Sequence, residues 1–440
     1  VSSPQNMKTF KQGIHPEYHK QRTENREVIE AAVPKKVIIP LHQHTGATCD
    51  PLVKVGDEVK EGQKIGDTSK FISAPIHASI SGKVTKIDKL PHPCGVNILS
   101  VVIEGNGEKR DAESGTRDAN VSPEEIRKIV REAGIVGLGG AAFPTHVKLT
   151  PPEGKKIDTI LINGCECEPY ITADHRIMLE RTEDMIAGAM LAAQATGAKR
   201  IIVGIEDNKP NALGKVKTEL RRLKAEHIEV AELETKYPQG GEKMLIKAVL
   251  DREVPSKGLP LDVGVVVINV GTAVAIAEAV KFGNPLIKRV VTVTGSGIKE
   301  PQNLLVRIGT TFQEIVDQCG GLNQVATKII MGGPMMGVSQ HTLEIPVVKA
   351  TSCILVLSPT DVKEKKLYPC VKCAKCVDYC PMFLVPSRLS AFSENAKYSD
   401  FEDWGGRDCI ECGCCTYMCP AGIPIVHWIK LAKLKLSQMK

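Results

Sequence analysis

Hydrophobic positions change period several times along this chain of 440 residues. Residues 1–35 show no period. They are polar and charged with three prolines, which fits a strap laid over another domain or a partly disordered segment. From 36 to 110 short alternating runs are broken by glycine, as in Leu52-Val53-Lys54-Val55-Gly56 and Gly62-Gln63-Lys64-Ile65. This pattern predicts a small β barrel or sandwich. Residues 111–120 are polar and acidic, a linker. Ser122-Pro123-Glu124-Glu125 predicts a helix start: a serine cap, proline at the first helical position, acids in the first turn. Apolar runs at 157–162, 200–205, 228–233 and 265–270 then alternate with helical stretches, the pattern of an α/β domain. Residues 290–321 read as strand, turn, strand, helix. The longest uncharged stretch, 263–277, spans fifteen residues. It is too short to cross a membrane and reads as a buried strand running into a helix.

The tail from residue 360 changes the picture. Cys370, Cys373, Cys376 and Cys380-Pro381 are followed by Cys409, Cys412, Cys415 and Cys419-Pro420. Each run is C-x2-C-x2-C-x3-C-P, the spacing that holds [4Fe-4S] clusters in bacterial ferredoxins, where the fourth cysteine serves the other cluster. That rule groups Cys370, Cys373 and Cys376 with Cys419, and Cys409, Cys412 and Cys415 with Cys380. Zinc would leave the paired Cys-Pro endings unexplained. Cys414 is extra and reads as a free thiol near a cluster. Residues 382–404 have helical content, so a helical ferredoxin form is expected. Residues 423–440 are amphipathic and basic, a surface helix by default.

Composition adds less. Hydrophobic content of 42% and charged content of 25% are globular values, and the length suits three or four domains. The formal charge of +6 is offset by roughly −4 from two oxidised clusters with their thiolates. Charge therefore gives little support for a nucleic-acid or membrane partner. Fifteen cysteines without an N-terminal apolar run point to a reducing compartment.

Three further stretches suggest ligand chemistry. Residues 134–149 form a small-residue loop ending near Lys148. Such a loop lets backbone amides approach a phosphate, and the lysine adds a cation. It is not G-x-G-x-x-G after a strand. The run 157–162 ends in Asn163-Gly164-Cys165-Glu166-Cys167-Glu168, polar groups at the end of a buried strand, where α/β proteins place ligands. Gly240-Gly241-Glu242 opens a helix and offers amides to phosphate and a carboxylate to ribose. Cys165 and Cys167 read as buried thiols, because two thiols without a third ligand make a poor metal site.

The segments GLGGAAFPTHVKL (137–149) and NGCECEP (163–169) resemble the flavin- and NADH-binding subunit of respiratory complex I, which has G-R-G-G-A-G-F-P-T-G-L-K-W and N-A-D-E-G-E-P. The chain resembles the RnfC subunit of the Rnf electron-transport complex more closely still, over nearly all its length. That resemblance implies a multidomain α/β chain. Its parts would be an N-terminal strap (1–35), a biotinyl/lipoyl carrier-like β barrel-sandwich (36–110), an FMN/NADH-binding α/β domain (115–285), a soluble-ligand-binding β-grasp insert (286–350) and a helical two-cluster ferredoxin domain (360–440). The barrel lacks the context of a carrier's attachment lysine at Lys70 and reads as scaffold. His42, His44 and His77 read as surface or core hydrogen-bonders. The β-grasp insert is assigned no chemistry.

Carried over by position, the family pattern puts Gly137, Gly139, Gly140 and Lys148 around FMN, and Asn163 against its ring or phosphate side. Asn269 and Thr272 fall on the phosphate side. Glu166 and Glu168 match an acidic pair facing the nicotinamide nucleotide, Glu242 a further nucleotide contact and Phe143 a stacking surface. Leu138 and Cys165 replace an arginine and an aspartate of complex I, so those contacts do not carry over. The implied function is that of an NADH-binding peripheral protein on the cytoplasmic face of the membrane. Electrons would pass between NAD(H), FMN and two [4Fe-4S] clusters, in exchange with membrane and iron–sulfur subunits of the Rnf complex and indirectly with ferredoxin, coupled to ion transport. No catalytic side-chain acid or base and no nucleic acid is expected. The alternatives are a soluble cobalamin reductase of a microcompartment and a non-enzymatic iron–sulfur carrier with a vestigial nucleotide site.

Overall fold

The computed structural model describes residues 7–108, 121–323, 327–362 and 365–439; the expected linker at 111–120 lies outside them. The first module is built from two antiparallel sheets. One runs in the order Lys36–Pro40, Asn97–Gly105, Gly82–Pro91, Glu58–Val59, the other Asp50–Pro51, Lys64–Asp67, Ile76–His77. Alternation along the strands turns Val37, Ile39, Ile65, Val84, Val101 and Ile103 into a shared core. Burial lowers the pKa of His44 to about 4 and of His77 to about 3, so both are neutral imidazoles inside the protein. Lys70 is exposed.

The central module starts with helix Pro123–Glu132, where Ser122 and Glu125 form a reciprocal capping box that stabilises the helix start by about 1 kcal/mol. Its sheet is wholly parallel, in the order Glu229–Leu233, Arg200–Glu206, Thr159–Gly164, Val265–Asn269. Helices Thr182–Thr196 and Val270–Phe282 pack so closely that a β-carbon at Gly188 would lie 1.8 Å from the Ala273 carbonyl oxygen. Only glycine permits that approach.

The third module is a six-stranded sheet: Val28–Glu30, Gln302–Arg307, Lys288–Thr294, Cys353–Leu357, Lys328–Met331, Val338–Gln340. It continues past residue 350, the expected end, and takes one edge strand from the expected strap. The strap is therefore ordered from residue 7 onward. It pairs Lys8 with Leu233 and Ile14 with Tyr237, accepts the Tyr170 amide at Tyr18, and then pairs with the Gln302–Arg307 strand, whose outer backbone groups would otherwise be exposed. Buried Lys349 joins two further modules, its Nζ donating to the carbonyls of Pro75 (2.8 Å) and Gly134 (2.7 Å).

In the tail, helices Pro386–Glu394 and Ile425–Gln438 pack against each other. The two cysteine runs share one backbone path. Positive φ at Lys372, Ala374 and Phe383 recurs at Glu411, Gly413 and Gly422, the equivalent positions of the second run. Among the described residues no helix is long and apolar enough to cross a membrane.

Candidate functional site

The winding of the parallel sheet reverses between Thr159–Gly164 and Val265–Asn269. At such a point the connections diverge to opposite sides and leave a crevice beyond the carboxyl ends of the strands, where ligands bind. Asn163 and Asn269 stand opposite each other there, in register. Asn269 caps the Val270–Phe282 helix, its Oδ1 accepting from the amides of Gly271 (2.9 Å) and Thr272 (3.3 Å). Thr272 Oγ1 in turn accepts the Leu138 amide at 2.9 Å, and the Gly137 amide donates to the Phe143 carbonyl at 2.8 Å. The glycine loop is thereby pinned over the helix N-terminus. The amides of Gly139, Gly140 and Ala141 have no acceptor among the described residues, and all three residues are exposed. Free amides beside a helix N-terminus are the donor set a phosphate needs. Gly140 has φ +108 with open space around it, a conformation that L-residues rarely adopt.

Other expected residues meet the same edge. Asn163 Nδ2 donates to the Gly240 carbonyl at 2.8 Å. Lys148 pairs with Glu242 and donates to the Val267 carbonyl at 3.1 Å. Phe143 is half-buried beside the loop.

Glu166 and Glu168 are turned inward. A φ of +50 at Glu166 bends the chain, and its carboxylate accepts the amides of Asp174 (2.6 Å) and His175 (3.2 Å) at a helix start. Lys20 of the strap lies 3.9 Å from that carboxylate and donates to the Ile171 carbonyl at 2.8 Å. Glu168 accepts the amides of Met335 (3.2 Å) and Met336 (2.8 Å), and burial raises its pKa to about 7. Both carboxylates are thus enclosed by protein groups. Asp174 accepts from Asn269 Nδ2 at 2.6 Å; burial, then the charge of Glu166, raises its pKa to about 7. Glu206 and Lys209 form a buried pair at 2.9 Å. Such charges tolerate burial because each is paired and hydrogen-bonded.

All fifteen cysteines are free. Cys370, Cys373, Cys376 and Cys419 line one cavity of about 660 Å³ with Tyr368, Val371 and Trp428. Cys380, Cys409, Cys412 and Cys415 line a second, tighter one with Cys414. The last cysteine of each run crosses to the other cavity. Among the described residues no group of three or more Cys, His, Asp or Glu is arranged to hold a single metal ion. Four thiols spread around each cavity fit the donor set of a cubane, whose iron corners reach out to sulfur. Burial raises the Cys409 thiol to about 12, so filling that cavity with metal would release protons.

The second cavity abuts the crevice at the strand ends. Tyr237 is fully buried and its hydroxyl donates to the Cys412 carbonyl at 2.7 Å. It packs with Ile14, Cys167, Cys412 and Cys414. Cys167 Sγ accepts the Gly240 amide at 3.4 Å, and Gly240 is bonded to Asn163. Contacts therefore run from Asn163 through Gly240, Cys167 and Tyr237 to Cys412. Sequence reasoning missed Tyr237, Lys20, Asp174 and Lys209, none of which sits in a recognisable motif.

Comparison with known proteins matches three parts of the chain to family models: an RnfC barrel sandwich hybrid domain over residues 8–108, a Nuo51 FMN-binding domain over 130–278 and an SLBB domain over 290–339. Curated relatives align along most of the chain. The C subunit of the proton-translocating ferredoxin:NAD(+) oxidoreductase complex of Clostridium ljungdahlii is 48% identical over 90% of this chain and 87% of its own. Its counterpart in the Na(+)-translocating complex of Acetobacterium woodii is 45% identical over 97% of both. That of the ion-translocating oxidoreductase complex of Rhodobacter capsulatus is 41% identical over 97% and 83%. Among solved structures, an NAD+-reducing [NiFe]-hydrogenase in the air-oxidised state shares the fold with TM-score 0.51 at 22% identity, over 64% of this chain and 54% of that one. The H2-reduced form gives TM-score 0.52 at 20% identity, over 72% and 63%.

Proposed function

Because this chain belongs to the RnfC family of ion-translocating ferredoxin:NAD(+) oxidoreductase complexes, we propose that it passes electrons between NAD(H) and two [4Fe-4S] clusters through FMN bound at the glycine loop. When bound, FMN supplies the conversion between two-electron and one-electron chemistry that nicotinamide lacks. The chain's own groups bind and orient. The free amides of Gly139, Gly140 and Ala141 and the helix start capped by Asn269 hold the phosphate, while Asn163 lies on the ring side. Lys148 adds a cation held in place by Glu242 and the Val267 carbonyl. Phe143 and Glu242, both partly accessible, are the better candidates to meet the nucleotide, because Glu166 and Glu168 are occupied within the protein. No side chain needs to act as acid or base.

The observation that carries this reading is the contact path from Asn163 to Cys412. It supports an order in which Cys409, Cys412, Cys415 and Cys380 hold the cluster nearer the flavin. Cys370, Cys373, Cys376 and Cys419 then hold the cluster that faces outward, toward another member of the complex. Attachment would be peripheral, at the cytoplasmic face of the membrane. Anaerobic purification with iron, sulfide and flavin quantified, followed by NADH addition, tests this. About eight iron with one FMN per chain, and bleaching of flavin and cluster absorbance by NADH, is the expected result. Four iron per chain, or bound FMN that NADH leaves oxidised, would sink it.

A further inference from the structure

Arg289 is a buried cation that the proposed function does not use. It lies on the Lys288–Thr294 strand of the β-grasp module, 5% exposed. Its guanidinium donates to three main-chain carbonyls: Val290 at 3.2 Å, Lys349, and Leu138 at 3.4 Å. Among the described residues it forms no ion pair. Asp174 supplies the attraction that partly offsets its burial. Other arginines nearby are treated differently. Arg307, buried in the same sheet, pairs with Glu61 at 2.8 Å, and Arg181 pairs with Glu278 at 2.7 Å and Asp184 at 2.9 Å.

What Arg289 touches gives it a role. Leu138 sits inside the glycine loop, and its peptide is held from both sides. Thr272 of the central module accepts its amide, and Arg289 of the β-grasp module donates to its carbonyl. Behind the loop lies a cavity of about 300 Å³ lined by Leu138, Gly271 and Arg289, and the Leu138 side chain packs into the central core beside it. Asp174 bonds the Asn269 side chain that caps the adjoining helix. The loop itself carries no cation between Gly137 and Gly140.

We propose that Arg289 is a positioning residue of the flavin pocket: it holds the glycine loop in its anion-cradling form from a neighbouring module, and its unpaired charge favours negative charge on the flavin bound there. The inference rests on the reading that FMN occupies this loop. A fixed buried cation acts at low effective dielectric, so its removal disfavours added negative charge nearby more than removal of a surface charge would.

The test uses the full chain, reconstituted anaerobically, as wild type, Arg289→Gln, Arg289→Lys and Arg307→Gln, with iron content as the folding check. FMN affinity and the flavin midpoint potential are measured by titration. Arg289→Gln should weaken FMN binding about tenfold and lower the potential, with partial recovery in Arg289→Lys. Arg307→Gln should lower thermal stability and leave both flavin readouts unchanged. Wild-type affinity and potential in Arg289→Gln, or an equal change in Arg307→Gln, overturns the proposal. If Arg289→Gln does not fold, Arg289→Lys decides through affinity, because lysine keeps the charge but cannot reach all three carbonyls: weakened FMN binding with full iron content supports the proposal, and wild-type affinity overturns it. A wild-type chain that binds no FMN, or whose affinity survives Gly140→Val, fails the flavin reading itself, and the proposal falls with it.

Discussion

The two cysteine runs have the same spacing and the same left-handed backbone positions, yet they occupy different environments. In the first, Cys370 and Cys373 are exposed among exposed Leu367, Tyr368 and Val371. In the second, Cys412 and Cys415 are buried, with Tyr237 behind them and the Met335 carbonyl so close to Gly413 that a β-carbon there would lie 2.9 Å from it. Lys433 clasps the second loop further, donating to the Cys409 carbonyl at 2.6 Å. Local sequence thus specifies the loop, whereas distant segments decide whether a loop is buried or left open to solvent. One covalent pattern takes two degrees of burial because its surroundings differ.

Cysteine replacement should break the comparison most sharply. Cys412→Ser should abolish NADH-driven reduction of any remaining cluster while flavin bleaching persists. Cys373→Ser should lose about half the iron yet keep NADH-driven reduction of the cluster left behind. The reverse outcome would invert the proposed order. Slow exposure to air or a chelator should release iron in two phases, the first from the exposed run. A single phase, or first loss of the cluster held by Cys412, counts against the difference in burial. Tyr237→Phe should cost about 1–3 kcal/mol, read as a lower Tm, because the buried Cys412 carbonyl loses its donor; iron per chain should stay constant.

The smallest effect concerns Glu168, behind the second run. Burial raises its folded pKa from 4.5 to about 7. Between those values the folded state keeps a proton that the unfolded state has lost, so this site's contribution to stability falls as pH rises from 4.5 to 7. Denaturant titrations across that range should show a flatter profile in Glu168→Gln. An unchanged slope would mean that Glu168 stays ionised in the folded chain.

Much of this was legible in the sequence. The cysteine spacing groups the thiols as the two cavities do, because each run is short and of fixed spacing and carries its last cysteine away from the first three. The glycine loop and Asn163 could be read because small residues and polar strand ends have local causes. The orientation of Glu166 could not, since one left-handed residue redirects the chain and no local pattern requires it. Tyr237, Lys20 and Arg289 were invisible for another reason. Each reaches the site from a separate segment, and a buried tyrosine, lysine or arginine looks in sequence like any other. That the six-stranded sheet takes strands from residues 28–30 and from Cys353–Leu357 could not be read, because both come from segments distant in sequence from its middle strands.

The strap has a consequence for the order in which the protein is made. Val28 pairs with Asn303, 303 − 28 = 275 positions further along the chain. At about 5–20 residues per second, the ribosome delivers that partner on the order of 15–55 s later. Through that interval the segment is a strand without a sheet, the state most exposed to wrong pairing. Its lack of hydrophobic period then acquires a reason. Lys20, Arg22, Glu24, Arg26 and Glu27 favour hydration of the unpaired segment, and the polarity that made it look unstructured suits a strand whose partner arrives late.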